Sequence, residues 1–338
     1  MNLPYKYLLS ICIPTFNRSK YLNGLLENIS SEISKYDIAD DLQVVIVNGH
    51  SNDDTEEMVK TFKIECELKY YRRQVRVGVD KDILKCVELS DAQYCWLFSD
   101  DDMFTDGAID YLLGVLKKEE VLSGCFSNRI PFNFKMEKKI AEVRKWPGKI
   151  LKNDMLFVEK SECIKNIGMD YGFLSSQIIN RSLWQKAVGN EDFGSLYKCY
   201  YILVHIMFKM MDDNCRWLYI HRPLLKQRTG NDTLLNNEGV IIRQKVEHEN
   251  FEKILNLHYE QGSEEHYVFF RKMVNRLPRA VANLKSQNIS YLSQVQLFKL
   301  FYIKYKRYSR FWYLVIPIFF IPNIFLLNVK KFYFKYMV

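Results

Sequence analysis

The chain has 338 residues, 48% of them hydrophobic and 26% charged, which is material for roughly two cored domains and excludes disorder as the main state. Cys12, Cys66, Cys86, Cys95, Cys125, Cys163, Cys199 and Cys215 form no Cys-x-x-Cys pair and have no His close enough to complete a zinc pattern. They read as buried free thiols of a reducing compartment. The net charge of +8 is uneven: residues 266–338 carry thirteen Lys and Arg and no acid, which leaves −5 on the rest. An acidic body is followed by a basic tail.

Leu8 to Pro14 (LLSICIP) is a short β-capable run closed by a proline, and the polar Asn17, Arg18 and Ser19 lead into apolar residues at helical spacing from Tyr21 to Ile33. Leu42 to Val47 is a second buried strand that runs into NGHSNDDT and a helix-like stretch from Glu56 to Phe62. Alternation of this kind predicts a parallel sheet. A third strand-like piece, Leu68 to Arg72, leads through RVGVDKD to a helix over Ile83 to Leu89. Tyr94 to Phe98 (YCWLF) then forms a fourth buried strand that ends in Ser99, Asp100, Asp101 and Asp102. Beyond Gly107 the pattern predicts a helix over 108–118, a mixed, strand-rich region to about 180, and helices around 196–211 and 240–258. There are no repeats and no low-complexity linker.

In the tail, Phe311 to Val329 has no charged residue over nineteen positions. Lys304, Lys306, Arg307 and Arg310 precede it, and Lys330, Lys331 and Lys335 follow. As a helix it would span about 28 Å, near one hydrocarbon thickness, but Pro317 and Pro322 would interrupt it. Both flanks are basic, so charge gives no orientation. Aromatic ends with Lys and Arg suit a monotopic or re-entrant segment on an anionic cytoplasmic leaflet. A hydrophobic helix packed on the domain or on another subunit is the alternative. The N-terminal apolar run stops at Pro14, too short for a signal peptide.

Three consecutive aspartates after a buried strand are the strongest chemical signal in the chain. Side-by-side carboxylates repel and desolvate one another unless a cation compensates. Mg2+ or Mn2+, held by one or two carboxylates together with phosphate oxygens, suits a diphosphate-bearing substrate. An acidic cap for the next helix would need one Asp, not three. In open α/β sheets ligands sit at the carboxyl ends of the strands, and three of the four strands end in loops rich in Asn, Asp, Ser and Thr.

The set SICIPTFNR (10–18), VIVNGHSNDDT (45–55), VGVDKDI (77–83) and YCWLFSDDDMFTDGAI (94–109) resembles, in this order, the nucleotide-sugar domain of family 2 glycosyltransferases with the GT-A fold. That fold is an α/β, Rossmann-like, mostly parallel sheet flanked by helices. YGFLSSQIINRSLW (171–184) and QRTGND (227–232) resemble the abequosyltransferase-like branch, which builds bacterial surface polysaccharides. The resemblance implies a hexosyl-transferring enzyme with a GT-A domain over 1–235, its nucleotide-sugar part about 8–116 and its acceptor part about 117–235. A helical extension over 236–300 and a membrane-associating tail over 301–338 would follow.

The resemblance also implies roles. Pro14, Thr15 and Asn17 would line the nucleotide pocket, and Asn48, Ser51 and Asp53 would hold base and ribose. Gly78 and Asp80 would sit near the sugar nucleotide, with Asp100, Asp101 and Asp102 as a DxD-type site for Mn2+ or Mg2+. Asp101 is the first choice for direct ligand. Where the family has an Asp that reads the uracil ring nitrogen, this chain has Asn48. Its amide offers both donor and acceptor, so the base stays open, and a left-handed turn residue before Gly49 is the alternative. An inverting displacement needs a carboxylate base. Glu191 and Asp192 lie at the family's distance from the metal motif, Asp192 preferred, although an exposed acidic helix start explains them as well. Arg228 could fork onto the diphosphate or belong to a plain turn at 229–231. His205 and His221 read as packed or surface residues.

The expected function is metal-dependent transfer of a sugar from a nucleotide diphosphate to a lipid-linked or polysaccharide acceptor, at the cytoplasmic face of the cell membrane. A non-catalytic, membrane-docked module would be expected to have lost Asp100 to Asp102. A nucleotidyltransferase would carry a Gly-rich basic first loop where this chain has PTFNR. Nucleic acid is not an expected partner: no binding motif appears, and the apolar nineteen-residue stretch does not suit one.

Overall fold

The computed structural model describes residues 5–141, 153–189, 191, 193–197, 199–287, 289–323, 325 and 326. These fall into two compact units: the first holds the described residues up to 141, 153–163 and Asp170–Gly230, the second Ile164–Met169 and the chain from Asn231 onward.

The first unit is built on β1 (Tyr7–Thr15), β2 (Leu42–Asn48), β3 (Glu67–Arg72) and β4 (Ala92–Leu97), all parallel, in the order β3-β2-β1-β4. β2 is buried along its whole length and β1 over its last seven residues, as expected of parallel strands covered on both faces. β3 is the half-exposed edge. The chain runs from β1 outward through β2 to β3 and returns to place β4 on the other side of β1. The strand order therefore reverses between β1 and β4, and in open α/β sheets such a reversal is where ligands sit, at the carboxyl ends of the strands.

Helices α1 (Ser19–Tyr36), α2 (Thr55–Thr61), α3 (Val79–Leu89) and α4 (Ala108–Lys118) follow the first, second, third and fourth of these strands. α1 buries Leu22, Leu25, Leu26, Ile29 and Ile33 at helical spacing. It ends at Asp37, whose left-handed backbone places its N–H on the Ile33 carbonyl. At the end of β4, Trp96, Phe98 and Phe104 make one aromatic knot, Phe98 and Phe104 stacked 4.1 Å apart.

The sheet continues past β4 with antiparallel β8 (Gln177–Asn180), then β6 (Gly124–Phe132), β9 (Trp217–Arg228) and the two-residue β5 (Met103–Phe104), while β7 (Met155–Phe157) pairs with β9. Helices α5 (Lys160–Ile167), α6 (Arg181–Val188) and α7 (Ile202–Asp213) complete this half. The expected strands and the helix at 108–118 are present, while the helix expected from 196 begins at Ile202. Gly194–Leu196 is a single 3-10 turn, and Tyr200 has φ of +65°, which cannot continue a helix. The eight cysteines are free, six buried and Cys66 and Cys215 half-buried.

The second unit is helical: α8 (Thr233–Lys245), α9 (Phe251–His258), α10 (Glu264–Ser286), α11 (Tyr291–Tyr305) and α12 (Ile316–Phe320). A wide turn over Val246–Asn250 joins α8 to α9 and carries the buried His248, whose Nδ1 lies 2.7 Å from the Tyr305 hydroxyl. Burial pushes this imidazole down to about 4. Its folded value lies below that of an unfolded His, so its neutral form contributes stability that is present above about 6.5 and lost as pH falls toward 4. On the order of 3 kcal/mol is at stake. A pH series of unfolding transitions on the full chain is expected to show this loss, and His248→Gln to flatten it.

The apolar run from Phe311 is not one long helix. Pro317 sits in the first turn of α12, where its missing N–H is harmless, and Pro322 follows the helix end. Lys285 of α10 donates to the Ile318, Phe319 and Ile321 carbonyls, capping the groups that the short helix leaves open. Phe311 and Val315 are buried, whereas Trp312, Tyr313, Phe320 and Phe325 are exposed. No helix among the described residues is long and apolar enough to cross a membrane. Residue 324 and residues 327–338, with the three trailing lysines, lie outside the described residues.

Candidate functional site

The three aspartates stand where β4 ends beside β1, and each is drawn to a different part of the first unit. Asp100 accepts from the Thr15 hydroxyl at 2.7 Å and from Arg18 Nη1 at 2.8 Å. Asp101 accepts from the Ser99 hydroxyl at 2.5 Å, and its other oxygen lies 3.4 Å from the same Arg18 nitrogen. Asp102 accepts from the Ser175 hydroxyl at 2.6 Å and from the Arg228 backbone N–H at 2.8 Å. All three are buried. Burial pushes the Asp100 carboxyl up to about 6 even though Arg18 opposes it. Burial, with the charge of Asp101 beside it, pushes Asp102 up to about 7. The cluster thus carries more negative charge than its surroundings neutralise, and a cation would be stabilised there.

Arg228 lies in this cluster rather than in a detached turn. Its Nε donates to the Asp101 carbonyl at 2.9 Å, its Nη1 to the Phe134 carbonyl at 2.5 Å, and its guanidinium lies over the Tyr21 ring at 5.0 Å.

The loops after β1 and β2 are tied together. Asn17 has φ of +52°, its N–H donates to the Ser51 hydroxyl at 2.8 Å, and its side-chain oxygen accepts from the Asn52 N–H at 2.7 Å. Asp53 accepts from the Ser19 N–H at 3.1 Å and from Thr55. Pro14 is buried one residue before the end of β1. Asn48 is the last residue of β2, fully buried, and the left-handed residue of this loop is His50 instead. The Asn48 oxygen accepts from the Ser51 N–H at 2.7 Å and its Nδ2 donates to the Tyr70 hydroxyl at 2.9 Å. Those two bonds set the orientation of its amide. A Cβ on Gly49 would meet Asp82 Oδ2 at 2.7 Å and would push aside a carboxylate that pairs with Arg73.

At the start of α3, Gly78 has φ of +97°, a conformation that suits only glycine. Asp80 is buried and accepts from the Tyr200 N–H at 3.0 Å. Asp82, which the sequence did not single out, pairs with Arg73 Nε at 2.9 Å, and Arg76 lies over the Phe16 ring at 3.7 Å. Glu191 is exposed and bound by His205 Nε2 at 3.2 Å and by Lys209. Burial acts to raise its carboxyl, but these two partners outweigh that and hold it below the usual range. Asp192 lies outside the described residues. His205 is buried, in line with a packed residue.

Among the described residues no three His, Cys, Asp or Glu side chains converge to hold a metal by themselves. A cage made of protein alone is therefore not present there. A site completed by substrate phosphates remains compatible with the cluster. Each carboxylate oxygen of the cluster has a partner, and Arg18 lies 3.4 Å from Asp101 against 2.8 Å from Asp100.

A sheet that reverses at its first strand, with acidic and hydroxyl-bearing loops there, is an open α/β architecture whose ligands sit at that reversal. Residues 10–174 match the model for glycosyl transferase family 2, so the chain holds a family 2 glycosyltransferase domain, on an α/β fold similar to GT-A structures. It is similar to the abequosyltransferase RfbV of Salmonella typhimurium, 29% identical over 240 residues, 67% of this chain and 68% of that one. It is also similar to the GalNAc(5)-diNAcBac-PP-undecaprenol beta-1,3-glucosyltransferase of Campylobacter jejuni, 24% identical over 208 residues, 60% and 63%. Two solved structures share the fold: S. aureus TarS 1–349 with UDP-GlcNAc (14% identity, 86% of this chain and 78% of that one, TM-score 0.59) and the Pyrobaculum calidifontis mannosyltransferase PcManGT with GDP-Man and Mn2+ (12%, 99% and 92%, TM-score 0.52).

Proposed function

We propose that this glycosyltransferase moves a sugar, with inversion, from a nucleotide-diphosphate donor to a lipid-linked or polysaccharide acceptor in bacterial surface-glycan synthesis, as O-antigen, capsule or lipopolysaccharide. The observation that carries the reading is the buried Asp100 to Asp102 cluster at the reversal point of the sheet. A relative named for glucosyl transfer to an undecaprenol-linked glycan supports the acceptor class.

In this reading Pro14, Thr15, Asn17, Asn48, Ser51 and Asp53 shape the nucleotide pocket, Asn48 by fixing Tyr70 and the Ser51 turn. Gly78 and Asp80 present the start of α3 to the sugar nucleotide. Asp101, with Asp100 and Asp102 behind it, would hold Mn2+ or Mg2+ against the donor's phosphates. When bound, the ion supplies charge stabilisation for the departing nucleotide. Arg228 keeps the backbone of the aspartate loop in place and adds positive charge beside the leaving group. The acceptor hydroxyl loses its proton to Asp192, because Glu191 is tethered and made a weaker base by Lys209 and His205. Retained nucleotide-dependent transfer in Asp192→Asn would remove that assignment.

Calorimetry with UDP, CDP, GDP and dTDP, with and without Mn2+, tests the reading. Metal-dependent binding of one nucleotide is expected. Failure of folded protein to bind any of them would leave a non-catalytic module.

The acceptor side is assigned to the membrane. Trp312, Tyr313, Phe320 and Phe325 stand exposed in the basic tail, suited to an anionic cytoplasmic leaflet on which a polyprenyl diphosphate is presented. Co-sedimentation with phosphatidylglycerol vesicles is expected to fall several-fold in Trp312→Ser/Phe320→Ser and at high salt. Equal binding to neutral vesicles would contradict the electrostatic part.

A further inference from the structure

We infer that Arg18 is a resident counter-cation of the donor site, keeping the acidic cluster closed to a divalent ion until the nucleotide arrives and then sharing its charge with the diphosphate. The inference rests on the donor and metal reading above and adds a residue and an order of binding to it.

Arg18 lies just after β1, three residues beyond Thr15. One of its nitrogens touches both Asp100, at 2.8 Å, and Asp101, at 3.4 Å. The arginine side chain is 17% exposed, and those of Asp100 and Asp101 are 4% and 10% exposed. Charges this close and this dry are poorly screened. A guanidinium cannot lose its proton to make room, so a divalent ion approaching the same oxygens meets a fixed positive charge. Arg18 thus cancels one of the negative charges of the cluster that would otherwise draw a hydrated Mg2+ or Mn2+ out of water.

A nucleoside diphosphate changes this balance. Its phosphate oxygens are acceptors that a planar guanidinium forks onto, and its negative charges restore what the ion needs. Arg18 can turn toward the phosphates because its side chain, 17% exposed against 4% and 10% for the two aspartates, is the one of the three that reaches solvent most. By linkage, nucleotide and metal then bind more tightly together than apart, and the size of that coupling depends on Arg18.

Mn2+ titrations followed by the paramagnetic resonance of the free ion test this on the full chain, first without nucleotide and then with each of UDP, CDP, GDP and dTDP. In the wild type the accepted nucleotide is expected to tighten Mn2+ binding ~tenfold or more. Arg18→Gln is expected to bind Mn2+ alone ~tenfold more tightly than wild type and to lose most of the coupling. Arg18→Lys keeps the charge without the fork. It should still exclude the ion, but with coupling reduced by ~threefold, and it carries the test if the Gln variant does not fold.

Unchanged or weaker Mn2+ binding in folded Arg18→Gln, or wild-type coupling in either variant, overturns the inference and leaves the metal reading standing. Nucleotide binding with no Mn2+ binding in any form overturns both. A folded wild type that takes no nucleotide overturns the donor reading itself.

Discussion

Asp101→Asn is expected to leave folding and the thermal midpoint unchanged while lowering sugar transfer by ~10²–10³-fold. The substitution preserves shape, and the side-chain oxygen can still accept from the Ser99 hydroxyl that now sits 2.5 Å away. What it removes is the negative charge of a carboxylate whose second oxygen lies 3.4 Å from Arg18. Neutralising Asp100 or Asp102 would confound two effects, because those side chains also tie β4 to Thr15, Ser175 and Arg228. Transfer rates beside a melting curve make the check. Mn2+-dependent transfer at wild-type rate in Asp101→Asn would sink the metal assignment.

Arg129→Ala is expected to have the largest effect on stability. Arg129, on β6, is buried with its guanidinium on Asp170 at 2.7 Å, Ser176 at 3.3 Å and Gln227 at 3.0 Å, and it lies 3.9 Å from the centre of the Phe173 ring. The side chains of the pair are 2% and 4% exposed. Truncating the arginine removes the 2.7 Å ion pair from the Asp170 charge in a dry interior, a loss of ~3–5 kcal/mol. The pair itself is not expected to be worth that much, because burying two charges costs about what their attraction returns. Arg129→Met combined with Asp170→Leu should therefore recover most of the stability in urea unfolding. A double variant as unstable as Arg129→Ala would show that the bonds to Ser176 and Gln227 carry the effect instead.

Neither Arg129 nor Asp170 was visible as a pair in the sequence, forty-one residues apart and without a motif. The same holds for Ser175, whose hydroxyl orients Asp102 from the turn before β8. It lies inside a stretch that resembled a family branch, but nothing in that stretch marked one serine over its neighbour. Arg18 sat in a quoted motif as part of a polar turn. Only proximity to Asp100 shows it to be an electrostatic partner.

The strands divide in the same way. β1, β2 and β4 were legible because a buried parallel strand is a continuous apolar run bounded by polar residues. β9 was not, because WLYIHRPLLKQR mixes basic residues and a proline into the pattern. It is a strand because β6, β7 and β5 bond to it. Pro223 is tolerated where its register against β6 shifts at Asn128. In the tail, the helix ends before Pro322 while Pro317 is accommodated in the first turn of α12, and the capping of α12 by Lys285 depends on a residue thirty-odd positions earlier.

The sequence by itself determined the resemblance of its first half to family 2 glycosyltransferases, the parallel half of the sheet, and the placing of three carboxylates at the end of a buried strand, because hydrophobic period and adjacent motifs are local properties. The tertiary structure alone decided how those carboxylates divide their work. Consecutive residues leaving a strand point in different directions, so Asp100 reaches Thr15, Asp101 stays with Ser99, and Asp102 reaches Ser175 and Arg228. Three of those four partners lie 73 to 126 residues away along the chain, and only the packing of the sheet brings them within hydrogen-bond distance.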